Sequence, residues 1–260
     1  MTAASDGLVR ERRGQVLILR LDRPEARNAL TGEMMRGLGS SAVAAEKDPD
    51  IRAVILTGSG DRAFCSGMDL RAFAAGGAVG FDSEEDADGY RRLTTGDLTV
   101  PVVGAANGTA VGGGLELLLG CDLIVASGDA KFGLPEVKRG LFPGGGGTTI
   151  GTRIPIGAAL EMTLTGDPIS AARGYELGLV NAVVAPDEVL DTALGYAERI
   201  AANAPLGLVA CKDLVRLSVS DPVLAATRLK EWQSTVFSSA DAKEGAAAFV
   251  EKRAPVWQGR

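Results

Sequence analysis

Two carboxylates of this sequence stand where acid–base chemistry could use them. In residues 104–120, GAANGTAVGGGLELLLG, three consecutive glycines precede an apolar run containing a single acid, Glu116. Glycines that open a helix leave backbone N–H groups uncovered, and the helix dipole adds partial positive charge there, so an anion or a developing oxyanion is favoured. Gly113 or Gly114 could be such a donor. Glu116 shares a helical face with Gly112, Gly113 and Gly120 and would project toward whatever those glycines hold. It suits equally well the simpler task of offsetting the dipole in a first helical turn. In 132–140, FGLPEVKRG, Pro135 fits the first position of a helix and Glu136 follows in its first turn. Taken alone, Glu136 reads as structural. Two carboxylates meeting in one apolar pocket would change that, because repulsion and desolvation separate their pKa values and leave one acid and one base. A third segment, 62–71, RAFCSGMDLR, follows the strand-like AVILTGSG. Its Ser66–Gly67 pair permits a tight turn that would expose the N–H of Met68 or Asp69, although an Asx turn at Asp69 is the plainer alternative.

Composition narrows the chemistry. The chain of 260 residues has no histidine, which removes Ser-His-Asp, Cys-His and His-metal arrangements and leaves carboxylates, Lys, Tyr or Cys for proton transfer. Its 27 Lys and Arg against 33 Asp and Glu give a net charge of -6, which opposes attraction to nucleic acid. Cys65, Cys121 and Cys211 are odd in number and widely spaced, against both a disulfide framework and a zinc site. No signal-peptide core opens the sequence and no run approaches a membrane span, so a soluble cytoplasmic protein is expected. Two glycine patterns are set aside. Gly58, Gly60 and Ala63 spell GxGxxA, but no helix opens there as a dinucleotide site requires; PGGGG at 143–147 lacks the Lys of a phosphate loop, and a packing role is expected for it.

The elements that must position these residues are α/β in character. Buried strands are predicted at 15–21, 53–57, 102–106 and 122–126, with a helix over 31–46 capped by Thr31. From about residue 156 helical periodicity dominates, at 170–178, 186–203, 206–219, 221–237 and 241–252. The acidic, glycine-rich 76–89 segment reads as a mobile surface loop. The stretch from 201 is too small for its own core, and is expected to pack on the main domain or on another chain.

RLDRPEARNAL (20–30), AFCSGMDL, ANGTAVGGGLELLLGCDLIVAS, AKFGLPEVKRGLFPGGGG, LTGDPISAARGYELGLVN and the terminal AFVEKRAPVWQGR together resemble the crotonase (enoyl-CoA hydratase) superfamily, over nearly the whole chain. The resemblance implies an α/β crotonase (ClpP-like) fold of repeated ββα superhelical turns over 1–200, and a C-terminal helical region, 201–260, used in trimers and hexamers. It places an oxyanion hole on the N–H groups of Met68 and Gly113, and the hydratases' two glutamates on Glu116 and Glu136. Retention of both favours hydration or dehydration of a coenzyme A thioester, with no metal and no permanently bound cofactor. The turn of Ser66, Gly67 and Asp69, continued by Leu70 and Arg71, is implied in coenzyme A and substrate binding. Arg62 is implied in phosphate contact, and Phe249 and Lys252 in reaching the adenine end from a neighbouring subunit. Met68 stands where fatty-acid hydratases have a small residue, and FGLPEVKRGLFP is also similar to carnitinyl-CoA dehydratase-like members. A double-bond isomerase, which needs one base, and a non-catalytic CoA-thioester binding protein are the alternatives.

Overall fold

The computed structural model describes residues 6–69, 81 and 83–260. Parallel strands covered on both faces must be apolar throughout, and β3 (Ala53–Gly58) is buried at every position. It sits within a six-stranded sheet ordered β1-β2-β3-β5-β7-β10. The other members are β1 (Leu8–Arg13), β2 (Val16–Leu21), β5 (Val102–Ala106), β7 (Leu123–Ser127) and β10 (Ala182–Val184). Only the β1–β2 pair is antiparallel. A second sheet, ordered β4-β6-β8-β9, is built from β4 (Ala63–Cys65), β6 (Thr109–Val111), β8 (Lys131–Gly133) and β9 (Ile169–Ser170). The connectivity repeats: β3 leads to β4, β5 to β6 and β7 to β8, so each turn of the chain advances one strand in both sheets. Helix α1 (Gly32–Lys47) precedes these turns, α2 (Glu84–Thr95) closes the first and α3 (Gly113–Gly120) the second. This is the ββα superhelix expected from the resemblance.

Alternation along the strands divides the core in two. Ile18, Ile55, Val103 and Val125 face one way and pack with Val189, Ala193 and Ala197 of α6 (Val189–Ala201). Leu19, Val54, Leu56 and Ile124 face the other and join the large core with α1 and α3. Along the chain α4 (Ile156–Thr165) and α5 (Ala171–Glu176) precede α6 and add Ala159, Met162 and Ala171 to the large core; α7 (Pro205–Ser220), α8 (Pro222–Phe237) and α9 (Ala240–Glu251) follow it. Helix α8 buries no residue.

One expectation is corrected. Residues 84–89 are helical, not loop: the Ser83 hydroxyl accepts from the Asp86 N–H at 3.0 Å, and Glu84, Glu85 and Asp86 fill the first turn of α2. The acids that read as loop composition instead complement a helix N-terminus. Residues 76–80 and 82 of that segment lie outside the described residues.

Helix α7 is anchored by charge. The Asp122 carboxylate, at the start of the β7 segment, accepts from Lys212 Nζ at 2.8 Å, Arg216 Nη2 at 2.9 Å and the Val102 N–H at 2.8 Å. The Lys212 side chain is 9% exposed. Removing one partner of such a pair leaves an uncompensated buried charge, so Asp122→Asn is expected to cost about 3 kcal/mol. At this chain length that lowers Tm by roughly 10 °C. Calorimetry of wild type and variant checks this, and an unchanged Tm would show the cluster to be energetically neutral.

Candidate active site

The site forms where the first two turns of the superhelix meet. Helix α3 is preceded by its cap residue Gly112, whose φ of 57° is left-handed backbone, and a side chain on Gly114 would place its Cβ 2.2 Å from the Cys65 carbonyl oxygen. Glycine therefore lets the helix start against the end of β4. Gly67, with φ of 89°, turns the chain just beyond β4; a Cβ there would lie 3.0 Å from the Val111 oxygen and 3.2 Å from the Gly113 nitrogen. The next residue, Met68, pairs with Leu30: the Leu30 N–H donates to the Gly67 oxygen at 2.8 Å, and the Asp69 N–H to the Leu30 oxygen at 3.0 Å. That ladder leaves the Met68 N–H pointing away from Leu30. Among the described residues no acceptor takes the N–H of Met68 or of Gly113. A Cβ on Gly113 would stand 3.7 Å from the Met68 nitrogen. Two uncommitted donors from different turns thus lie side by side, as stabilisation of an oxyanion requires.

Glu116, one turn into α3, is 8% exposed. Its Oε1 accepts from the N–H groups of Gly145 at 2.8 Å and Gly147 at 2.9 Å. A Cβ on Gly145 would fall 2.6 Å from Oε2. The PGGGG run, for which packing was expected, is therefore the cradle that orients this carboxylate. Sequence reasoning missed that role, although an unexplained glycine run downstream of a buried acid was its signal.

Glu136 lies in a 3-10 turn, Pro135–Arg139, directly after β8. The turn takes the place of the α-helix that Pro135 suggested, and Gly140 ends it with φ of 71°. Glu136 Oε1 would stand 3.2 Å from a Cβ on Gly112, so the carboxylate leans over the start of α3. Its Oε2 is buried and has no hydrogen-bond partner among the described residues. Burial raises the Glu136 pKa; its own backbone N–H lowers it, the Glu116 charge raises it and Arg139 lowers it, with a net upward shift. A folded-state pKa above the unfolded value means the folded form binds more protons in between, so stability falls as pH rises through that window. Glu136→Gln removes this cost. The variant is expected to melt higher than wild type at neutral pH and to lose the advantage below the ordinary glutamate range. Thermal melts at both ends of that range check this, and an advantage independent of pH would contradict it.

Side chains that the sequence reading did not single out brace the oxyanion turn. Asn28, fully buried with φ of 54°, donates through Nδ2 to the oxygens of Ser59 and Ala63, both at 2.9 Å, and accepts from the Arg23 N–H at 2.9 Å. Asn107 donates to the Gly60 oxygen at 2.8 Å and accepts from the Gly58 N–H at 3.0 Å. Asp69 pairs with Arg23 at 3.3 Å. Ser66 is half-buried and its N–H donates to the Arg27 oxygen, while Arg62 is exposed at the head of β4. Leu70 and Arg71 lie outside the described residues. Phe249 and Lys252 are exposed at the end of α9.

Comparison with known proteins shows the family of the fold. The family model described as Enoyl-CoA hydratase/isomerase matches residues 11–260. A carnitinyl-CoA dehydratase of Proteus mirabilis (strain HI4320) is 40% identical over 255 residues, covering 95% of this chain and 97% of the relative. The crystal structure of an enoyl-CoA hydratase from Mycobacterium tuberculosis H37Rv superposes with a TM-score of 0.89 at 42% identity, covering 98% of this chain and all of that one. A carnitinyl-CoA hydratase structure from Mycobacterium avium gives a TM-score of 0.78 at 40% identity, covering 99% of this chain and 100% of that one. With the two-sheet superhelix and the paired glutamates beside two free N–H donors, the chain belongs to the enoyl-CoA hydratase/isomerase family of the crotonase superfamily.

Proposed function

We propose that this chain is a hydro-lyase that adds water to, or removes it from, the Cα=Cβ bond of an acyl-CoA thioester. The observation that carries the reading is the juxtaposition of the cradled Glu116, the half-buried Glu136 and the uncommitted N–H groups of Met68 and Gly113. The thioester oxygen accepts from Met68 and Gly113, which polarises the conjugated system and stabilises the enolate as it forms, each donor contributing about 3–4 kcal/mol. Glu116 orients a water and takes its proton as the oxygen bonds to the β-carbon. The electron pair of the double bond moves into the enolate. Glu136, whose raised pKa favours its protonated form, delivers a proton to the α-carbon. One proton thus enters a carboxylate as another leaves, and dehydration runs the same steps in reverse.

Coenzyme A arrives as part of the substrate in this reading. Arg62, Ser66, Gly67 and Asp69, continued by Leu70 and Arg71, hold it, with Phe249 and Lys252 of a neighbouring copy at the adenine end. The chain divides into a catalytic core, 1–200, and an oligomerisation region, 201–260, that builds trimers and hexamers. Supporting this are Phe249 at 85% exposure and the exposed apolar side chains Val219, Val223 and Phe237. The net charge of -6 suits a soluble cytoplasmic enzyme, and among the described residues no helix is long and apolar enough to cross a membrane.

Loss of the conjugated enoyl-thioester absorbance with crotonyl-CoA, with longer and branched analogues, and its appearance from carnitinyl-CoA, test the reading. Oxygen incorporation from heavy-oxygen water identifies hydration; a product without it would mean isomerisation. Tight binding without turnover of any substrate would identify a binding protein instead.

A further inference from the structure

The Glu116 carboxylate is held by N–H groups that lie outside α3, so its place relative to the Gly113 N–H depends on how the glycine run is docked on that helix. The run continues into a 3-10 turn, Gly147–Thr152, that is tied closely to it. The N–H and the hydroxyl of Thr149 both donate to the Gly146 oxygen, at 3.0 and 2.7 Å, and Ile150 is buried in the large core. Arg153 caps the turn, its N–H donating to the Ile150 oxygen at 2.9 Å. Its side chain then reaches back to the C-terminal end of α3, where Nη1 donates to the Leu119 oxygen at 3.2 Å and to the Cys121 oxygen at 2.8 Å. One stretch of chain thus grips α3 twice, at the carboxylate of its first turn and at the carbonyls of its last.

The carbonyls that end a helix lack intrahelical donors and carry partial negative charge, so a guanidinium is favoured there. Arg216 of α7 shares the task, approaching the Gly120 and Cys121 oxygens at 3.3 and 3.4 Å, and among the described residues leaves the Leu119 oxygen to Arg153. The helix end is itself firmly seated: a Cβ on Gly120 would fall 1.9 Å from the Leu93 oxygen of α2. Arg153 therefore ties the cradle segment to a fixed point about one helical turn beyond Glu116.

We infer that Arg153 is a positioning residue for the proton transfer at Glu116, clamping the glycine cradle to the far end of α3 so that the carboxylate keeps its place beside the oxyanion donors. The inference rests on the hydro-lyase reading of the site. Loss of the clamp moves the carboxylate and leaves the Met68 and Gly113 donors in place, and a displacement of about 1 Å can slow a well-oriented step by up to 10²-fold.

The test is a double-variant cycle with Glu116→Gln. Arg153→Met keeps an apolar stem without the charge, and Arg153→Gln is polar but too short to reach both oxygens. Each is made alone and together with Glu116→Gln, with melting curves to confirm folding; kcat and KM are measured on the CoA thioester that the wild type converts fastest. Arg153→Met alone is expected to lower kcat about tenfold, with KM within about twofold of wild type. Added to Glu116→Gln, it is expected to change kcat by less than about twofold, because the group it positions is already gone. A merely structural role would slow both backgrounds alike. Equal losses with and without Glu116→Gln, an unchanged kcat in Arg153→Met, or a loss carried by KM overturns the inference and leaves the hydro-lyase reading intact. If Arg153→Met does not fold, the same comparison with Arg153→Gln decides. No conversion of any thioester by the wild type overturns the hydro-lyase reading, and the inference with it.

Discussion

Glu116→Gln is expected to lower kcat by about 10²–10⁴-fold, with KM for crotonyl-CoA near the wild-type value. The reason lies in how the carboxylate is held. One oxygen is occupied by the N–H groups of Gly145 and Gly147, and an amide oxygen can accept the same two bonds. The position therefore survives while the other oxygen becomes an NH₂ group, which cannot take a proton from water. Glu116→Asp probes the complementary property: it keeps the carboxylate but withdraws it from the glycine cradle by about one carbon–carbon bond. Because misplacement by about 1 Å can cost 10²-fold, Asp is expected to be nearly as damaging as Gln. Steady-state kinetics, with melting curves to establish folding, check both variants. Full turnover by folded Glu116→Gln would remove Glu116 from the proton path.

Gly113→Pro is expected to lower kcat by about 10²–10³-fold. Gly113 is the first residue of α3, the one helical position where proline is well tolerated because the N–H it lacks has no intrahelical partner. The preceding Gly112 has φ of 57° and ψ of −131°, outside the α region that proline disfavours in its neighbour. The substitution deletes the proposed oxyanion donor and puts a ring carbon in its place. Gly113→Ala is the control, since it keeps the N–H and the tightest contact of its Cβ is the Leu30 Cδ1 atom, at 3.3 Å, the far end of a flexible side chain. A large loss in Pro with a small loss in Ala identifies the N–H as the active element. Equal losses would point to crowding, and no loss in Pro would exclude Gly113 from the oxyanion hole.

Much of the framework is local and was legible in the residues. The predicted strands at 15–21, 53–57, 102–106 and 122–126 correspond to β2, β3, β5 and β7, and the Thr31 hydroxyl caps α1 as its position implied, accepting from the Met34 N–H at 3.2 Å. The C-terminal helices follow their periodicity to within a few residues. Strands of the second sheet did not show: β4, β6 and β8 are three residues long, too short to display alternation. The 84–89 helix was hidden because charge and glycine dominate its composition and outweighed the cap signal of Ser83, while its close packing is invisible without the fold.

The sequence by itself determined which groups are available: no histidine, two carboxylates beside glycine-rich segments, and a turn able to present an N–H. Tertiary structure decided what those groups became. Glu116 meets donors 29 and 31 residues away, Met68 is presented by a bridge to Leu30, and Glu136 is brought beside Gly112 with one oxygen buried and unpartnered. Residue type and spacing encode local conformation, because helix and strand geometry repeat over a few residues. Orientation of a backbone N–H and desolvation of a carboxylate depend on segments that meet only when both sheets and α3 have packed, so they become properties of the folded chain.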